Sequence, residues 1–463
     1  MLNMNTEMCN YDVYPKVILE DREETITVRP LGWHAGFVQG KAYHVELLPR
    51  NLRNWPTCTD AEKERVNVDL TLYPDADGCL RFTYTFHGEM PWYIHLVNDD
   101  GSRGTKLSFY VLHQDMKGRY PFLGDLHVHT RVSDGREAPA VVCANLRKAG
   151  YDFTVISDHY RYYGSLEAIR AYKDIPIDME IVPGEECHLP DEGIHIVNFG
   201  GLYSINSLLD TCIANTEKGT DPEFRAMDPA NCPPIIPEDE YRRQVMEIAN
   251  GLGELPEGVD PFTYAACLWV FDHIREADGM CIFPHPYWIA RGQNHVSEAM
   301  CEYLFEKHDF DAFELLGGEA YLDQNEFQVF KYLEARAKGL DFPVVGSSDS
   351  HGSTPNNSKW NVAQTIVFAR QNERREIIDS VKQKYSVAVD NISPQVRLAG
   401  DFRFVQYGRF LLDFYFPIHD ELCFEEGRLM KEYVCGQNDH ALEELARMKG
   451  RVARMQHKYF HID

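Results

Sequence analysis

Two histidines stand two residues apart in the segment GDLHVHTRVSDG, His127 and His129, and in extended chain that spacing sends both imidazoles out of one face. Two imidazoles on one face suit a shared metal ion, although a strand histidine satisfied by a hydrogen bond is just as ordinary, so the company the pair keeps decides the reading. Asp134 follows in a Ser-Asp-Gly turn, Asp158 and His159 close the next apolar run, Glu185 and Glu186 close the one after it, and His195 lies in a fourth. Farther along, GMCIFP leads into Pro284-His285-Pro286, and FPVVGSS ends in Asp349-Ser350-His351, again a carboxylate and an imidazole two apart. Charged side chains at the ends of successive apolar runs need partners, because a buried charge left alone is costly. Imidazole and carboxylate together accept Zn, Mn or Fe. Such an ion acidifies a bound water to hydroxide near neutral pH and polarises the oxygens of an electrophile, which is the chemistry of hydrolysis. No protein nucleophile is then required, and the chain contains neither a GxSxG elbow nor a GxxxxGK[ST] loop.

The elements that must position these residues are legible from Tyr120 onward, where short apolar runs alternate with helical stretches in the manner of βα units. Seven runs read as strands: FLGDLHV, DFTVIS, MEIVPG, IHIVNFG, GMCIFP, DAFELL and FPVVGSS. Helices separate them, such as 138–149, closed by Gly150 in the cap position. An α/β fold built as a distorted barrel follows, in which the C-terminal strand ends meet at one mouth. The connection between the fourth and fifth strands is too long for one helix and holds the Pro-rich piece DPEFRAMDPANCPPIIPEDE at 221–240, so the insert 201–262 reads as a lid that governs substrate choice. Upstream, Val66, Val68, Leu70 and Leu72 alternate with polar residues, Phe82, Tyr84 and Phe86 repeat the period, and PDADG at 74–78 turns between them. The expected organisation is a sandwich-like β-domain over 1–119, the barrel over 120–370, and a mainly helical extension over 371–463. The last helix of that extension is expected to start at an Asn438 cap and run to Phe460, and the extension suits packing or self-association into a homo-oligomer.

Element by element, HxH at 127–129, SDH at 157–159, GxE at 184–186, the lone His195, HP at 285–286 and DxH at 349–351 resemble the signatures of the PHP (polymerase and histidinol phosphatase) family of metallohydrolases over roughly residues 121–370. The resemblance implies a distorted (β/α)7 TIM-like barrel holding two or three divalent ions. It implies nine metal ligands: His127, His129, Asp134, His159, Glu186, His195, His285, Asp349 and His351. His127, His129, Glu186 and Asp349 would hold one ion, Glu186 would bridge to a second held by His195 and His285, and Asp134, His159 and His351 would hold a third. Glu185 and His188 are weaker candidates, expected to support ligands and not to bind metal. The expected activity is phosphoester hydrolysis on a small phosphorylated substrate. Arg161 and Arg291 are candidate phosphate donors, and Tyr160, Tyr162, Tyr163, Tyr287 and Trp288 crowd the same two loops as a candidate aromatic wall. The opening GDLHVHTRVSDG behind a β-domain also resembles the PHP branch that contains a carbamate hydrolase, so hydrolysis of an ester, carbamate or amide stands as the alternative. A binding module that keeps its metals only for stability is a third reading, which the complete ligand set disfavours.

Composition narrows the classes. The 463 residues carry a formal net charge of −26, which repels duplex DNA and anionic membranes but not a small substrate captured locally. The chain is too short to contain a replicative polymerase, and no basic, aromatic-studded groove for single strands is evident. The twelve cysteines form no CxxC pair, Cys58, Cys143, Cys187, Cys281 and Cys435 among them, and read as mostly buried free thiols. With no leader-like start and no apolar segment of membrane length, the expected compartment is the cytoplasm.

Overall fold

The computed structural model describes residues 6–51, 67–101, 103–188, 193–318, 322–355, 360–391 and 397–463; Cys58 and Val66 lie outside them. The chain is a mixed α/β protein that divides into two compact units, one of 1–120, 403–422 and 450–463, the other of 121–402 and 423–449.

In the first unit two sheets share one apolar core. Strands β1 (Tyr11–Tyr14), β3 (Glu23–Pro30) and β6 (Leu80–Thr85) form one antiparallel sheet in the order β1-β3-β6. The second contains β2 (Val17–Leu19), β4 (Tyr43–Pro49), β5 (Val68–Leu72), β7 (Met90–Val97), β8 (Arg103–Leu112) and β22 (Phe460–His461), in the order β22-β2-β8-β7-β4-β5. Alternation buries Val45 and Leu47 from β4, Ile94 from β7 and Phe109 from β8 against Ile26, Val28 and Phe82 of the other sheet. Phe86 fills the middle edge-on, its ring 5.1 Å from Trp92 and 4.9 Å from Phe109. The turn at 74–78 is held by Asp75, whose Oδ1 accepts from the backbone of Asp77 and Cys79. It joins strands of different sheets, because β5 pairs with β4 whereas β6 pairs with β3.

In the second unit all seven expected runs contain strands: β9 (Tyr120–Asp125), β10 (Phe153–Val155), β11 (Glu180–Val182), β13 (Ile196–Phe199), β14 (Met280–Phe283), β17 (Ala312–Leu316) and β18 (Val344–Gly346). They are not joined in one sheet. With β12 (Gly184–Cys187), β19 (Ala363–Ala369), β20 (Ser386–Asp390) and β21 (Arg397–Ala399) they divide into two sheets, β11-β10-β9-β19-β20-β21 and β12-β13-β14-β17-β18, neither of which closes. The ladders β9-β10-β11 and β14-β17-β18 are parallel, as βα units require. β13, in contrast, runs antiparallel to β12 and β14. The reason is length: Cys187 and Ile196 are too close in sequence for a helical crossover, which takes a dozen residues or more. Two isolated parallel bridges link the two sheets, Val128↔Ser350 just beyond β9 and β18, and His159, just beyond β10, with Glu186 of β12.

Helix Pro139–Lys148 starts with Pro at its first position, and Gly150 follows its end with φ +101°, the left-handed conformation glycine tolerates. Its Arg147 is fully buried, with Nε 2.6 Å from Glu426 and Nη1 2.9 Å from Asp152. Helices Glu238–Gly251 and Pro261–Glu276 form a packed layer in which Tyr241 and Val245 meet Tyr264 and Trp269. Ahead of it, the Pro-rich piece of the insert makes two short turns, each started by an aspartate, Asp221 and Asp228, that accepts from the chain two residues on. The last expected helix is two, Ala441–Met448 and Arg451–Tyr459, separated at Gly450 with φ +76°. Asn438 takes the backbone N–H of His440 and so caps the turn that leads into the first of them. The described cysteines are free thiols, most of them buried. Among the described residues no helix is long and apolar enough to cross a membrane.

Candidate metal centre

The bridge between Val128 and Ser350 fixes the first part of the site. His129 donates its backbone N–H to Ser350 O at 2.8 Å, so the segments 127–129 and 349–351 run side by side in parallel. Side chains alternate along extended chain, so with Val128 and Ser350 turned one way, His127, His129, Asp349 and His351 share the other face. Asp349 Oδ1 accordingly lies 3.0 Å from His129 Nε2 and 3.5 Å from His127 Nε2. The second bridge sets His159 beside Glu186, with Nδ1 2.6 Å from Oε2. Glu186 stands at the centre, with Oε2 3.4 Å from His127 and 3.5 Å from His129, and Oε1 2.7 Å from His195 and 3.3 Å from His285. Asp134, on its turn, completes the far side, 3.3 Å from His351 Nε2 and 3.7 Å from His159 Nε2.

The donors fall into overlapping groups whose atoms lie within 4.8 Å of one another: His127, His129 and Asp349; His127, Glu186 and His285; His129, Asp134, His159 and His351; and His195, His285 and His295. Burial is deep at the centre, where His127, His129 and Glu186 are fully enclosed, whereas the side chain of Asp134 is 57% exposed and marks the open side. Several buried atoms here make no hydrogen bond: Nε2 of His127, both ring nitrogens of His129, Oε2 of Glu186, Nδ1 of His195, Nδ1 of His285 and Nε2 of His295. Buried polar atoms are almost always paired, so this concentration of orphaned nitrogens and a carboxylate oxygen fits donors shaped for cations.

Electrostatics divide the imidazoles: burial lowers His127 and His159, but Glu186 and neighbouring carboxylates outweigh it and raise both. Burial pushes the carboxyl of Glu186 up, but the imidazoles of His195, His159 and His127 outweigh it and hold the group well below the usual carboxylate range. Burial and the neighbouring His159 pull His129 down to about 3, and burial pulls His195 down to about 4, so both imidazoles are neutral lone-pair donors near neutral pH.

The surroundings hold these groups in place. Asp158, next to His159, is buried and accepts from Thr130 N and Oγ1, both at 2.7 Å, and from Ser133 Oγ at 2.6 Å, which ties the loop after His129 to the end of β10. Gly164 leaves room for it, since a Cβ there would come 2.2 Å from Asp158 Oδ2. Asp125 accepts from Ser348 N at 2.9 Å and His127 N at 3.3 Å and so fastens β9 to the loop carrying Asp349. Tyr160, His285 and Asp349 adopt φ values of 60°, 29° and 46°, a region side chains other than glycine enter at a cost.

Of the weaker candidates, Glu185 turns away and accepts from Ser204 Oγ at 2.7 Å and Asn206 Nδ2 at 3.0 Å, anchoring the start of the insert. His188 turns in, its Nε2 2.8 Å from His159 Nδ1. Arg161 forms a bidentate pair with Glu217 at 2.7 Å on both arms, so its guanidinium is committed to helix Ile213–Glu217 of the insert. Arg291 is exposed in the two-residue loop of the hairpin β15 (Ile289–Ala290) and β16 (Gln293–Asn294). Of the five aromatics, Trp288 lies 5.9 Å from the His285 ring and Tyr160 4.5 Å from His188. Tyr162 and Tyr287 are buried and bonded elsewhere, to Gly201 O and the Glu298 carboxylate, and Tyr163 packs against Phe224 of the insert.

Two residues of the centre were not singled out in the sequence. Glu314, inside β17, is fully buried with Oε2 3.1 Å from His127 Nδ1. Its signal was present, a charge within the apolar run DAFELL that had to find a partner. His295 sits in a polar loop without periodicity, and only the hairpin brings it to His195 and His285.

No family model matches the chain, and no curated protein matches it. Among solved structures, it is similar to a two-domain protein from Bacteroides vulgatus that contains a predicted PHP-like metal-dependent phosphoesterase, at 14% identity and TM-score 0.38, over 58% of this chain. The chain spans 65% of that protein's length. A protein from Bifidobacterium adolescentis described as a metal-dependent phosphoesterase aligns at 19% identity and TM-score 0.31, over 50% of this chain and 89% of its own. An amidohydrolase from Chromobacterium violaceum, with bound sulfate and no metal, aligns at 18% identity and TM-score 0.28, over 50% and 87%.

Proposed function

We propose that the chain is a metal-dependent hydrolase of the PHP type that cleaves a phosphoester of a small molecule. The observation that carries the reading is the meeting of nine donors, scattered from His127 to His351, around buried nitrogens and a carboxylate oxygen that make no hydrogen bond. His127, His129, Glu186 and Asp349 would hold one ion, Glu186, His195 and His285 a second, and Asp134, His159 and His351 a third. Bound there, divalent ions supply Lewis acidity, lowering the pKa of a water and polarising the electrophile.

The protein's own groups do the rest. Glu186 sets the spacing of the groups it bridges, and Asp158 and Asp125 hold the two loops that carry donors. Tyr160 and Trp288 stand beside the imidazoles of His188 and His285, while Asp134 faces solvent on the open side. One observation favours hydrolysis of an ester, carbamate or amide as the second reading: Arg161, the nearest candidate phosphate donor in the sequence, is already paired with Glu217.

The test is hydrolysis of p-nitrophenyl phosphate, bis-p-nitrophenyl phosphate, naphthyl acetate and a naphthyl carbamate by the full chain, before and after chelation and on return of Mn or Zn. Chelator-sensitive cleavage of a phosphate, lost in His127→Ala and Asp349→Ala, is expected. Cleavage of the acetate and carbamate alone would replace the first reading by the second, and turnover unchanged in both variants would end the enzymatic interpretation.

A further inference from the structure

We propose that His295 is a fourth protein ligand of the ion assigned to Glu186, His195 and His285, so that this ion sits in an all-protein cage of three imidazoles and one carboxylate. The proposal rests on the metallohydrolase reading and adds a residue to it. One donor atom from each of His195, His285 and His295 falls within a common 4.8 Å. The ring of His295 is 4.3 Å from that of His195 and 5.6 Å from that of His285, measured between centroids. Glu186 Oε1 approaches the same place, 2.7 Å from His195 Nδ1 and 3.3 Å from His285 Nε2.

A histidine retained for packing satisfies its ring nitrogens. His295 does not: Nε2 is buried and makes no hydrogen bond. Its position is built by local backbone. Arg291 and Gly292 take φ values of +53° and +82°, the left-handed pair that closes a two-residue hairpin loop. The returning strand then places His295 N 2.7 Å from Trp288 O and Val296 N 3.1 Å from Pro286 O. The hairpin thus folds the chain back onto the loop of His285, and the indole of Trp288 covers both imidazoles at 5.3 Å and 5.9 Å.

Three imidazoles and a carboxylate match the tetrahedral preference of Zn(II) and Co(II), and are a poor match for Mg(II) or Ca(II), which want oxygen. With four protein donors this ion holds no open position of its own. Substrate and water are left to the three-donor site of Asp134, His159 and His351, on the side where Asp134 is exposed.

The test is titration of chelator-stripped full chain with Co(II), read by the intensity of its visible d–d bands, and with Zn(II) against a competing chelator. In wild type, one Co(II) equivalent should give the strong bands of a tetrahedral site. In His295→Ala that signal should fall to the weak bands of higher coordination, and one Zn(II) equivalent should bind about 100-fold more weakly. His295→Cys should keep the tight equivalent and add a thiolate-to-cobalt charge-transfer band, a readout that survives if the alanine variant folds poorly. Wild-type spectra and affinities in His295→Ala, or no charge-transfer band in a folded His295→Cys, would overturn the proposal. If hydrolysis were still chelator-sensitive, the metallohydrolase reading would stand without it. A wild type that takes up no metal and shows no chelator-sensitive hydrolysis would sink both.

Discussion

Glu314→Gln isolates a carboxylate that touches a candidate ligand from behind. Glu314 is fully buried in β17, and its Oε2 lies 3.1 Å from His127 Nδ1, while His127 Nε2 faces Glu186 and Asp349 at 3.4 Å and 3.5 Å. The carboxylate therefore fixes Nδ1 as the protonated nitrogen and presents Nε2 as the lone-pair donor, a division that the second partner of a ligating histidine usually imposes. Glutamine keeps the shape but loses the charge. A hydrogen bond to a charged acceptor is worth about 1.5–3 kcal/mol and a neutral one about 0.5–1.5 kcal/mol, so the substitution should cost about 1–1.5 kcal/mol. At about 1.4 kcal/mol per decade that is roughly tenfold in metal affinity, the lower end of the 10–100-fold expected for such partners. The assay is competitive Zn(II) titration of chelator-stripped protein, with thermal melting to confirm that the variant folds. A double-mutant cycle supplies the control: in a His127→Ala background the glutamine should cost almost nothing, because its effect passes through that imidazole. An affinity within about twofold of wild type, or an equal loss in both backgrounds, would refute the reasoning.

Two further outcomes follow from packing and charge. Gly135→Ala would bring a Cβ to 2.7 Å from the carbonyl of His129 and from Thr130 N, all backbone that cannot rotate away, so the turn carrying Asp134 should shift at a cost of about 1–3 kcal/mol. A melting temperature and a Zn(II) stoichiometry equal to those of wild type would contradict this. Lys16 is 3% exposed, and burial pulls its ammonium down to about 8 from an ordinary value of 10.5, with Asp12 the largest opposing influence. Its cost is fully felt below pH 8 and is relieved between about pH 8 and 10.5, where the unfolded chain binds more protons than the folded one. Lys16→Met should therefore raise stability by up to about 3 kcal/mol at pH 7, with Asp12 still held by Lys458 and Tyr459. Denaturant midpoints should show that advantage shrinking as the pH rises past 8, and a constant or growing advantage would count against a charged, buried Lys16.

How much of this was legible depends on whether the information is local. The strand runs were, because each is a short apolar stretch bounded by turn residues, and all seven became strands. The donors were, because HxH and DxH spacing on extended chain leaves no choice about which side chains share a face. Sheet closure was not. Whether a strand joins its neighbours parallel or antiparallel depends on the length and path of the connection, and the short step from Cys187 to Ile196 turned β13 around. Arg161 shows the same limit on the side of function. Its place in the loop after β10 makes it a candidate phosphate donor, and its ion-pair partner is a glutamate of the insert 56 residues away, which the local sequence could not name. His295 escaped notice for the complementary reason, since nothing within its own loop separates it from any surface histidine.

The site itself shows why scattered residues can be held so closely without a continuous ladder beneath them. Beyond the last residues of β9, β10, β14 and β18 the regular pairing stops, and two single bridges with three positive-φ residues take over. Each such residue costs about 1–3 kcal/mol and persists only where its surroundings over-determine it. Tyr160 follows His159, His285 is a donor itself, and Asp349 is another, so these three angles sit on or beside candidate ligands, while Asp174, Asp278, His308, Asn361 and Lys384 take positive φ elsewhere in the unit. Asp158 and Asp125, with their networks of backbone and hydroxyl donors, are the groups that over-determine two of those loops. A chain that only needed a stable loop would relax these angles and pair these nitrogens. Keeping both in one buried place suits a preformed cation site, whose donors converge and leave several of their atoms without hydrogen bonds.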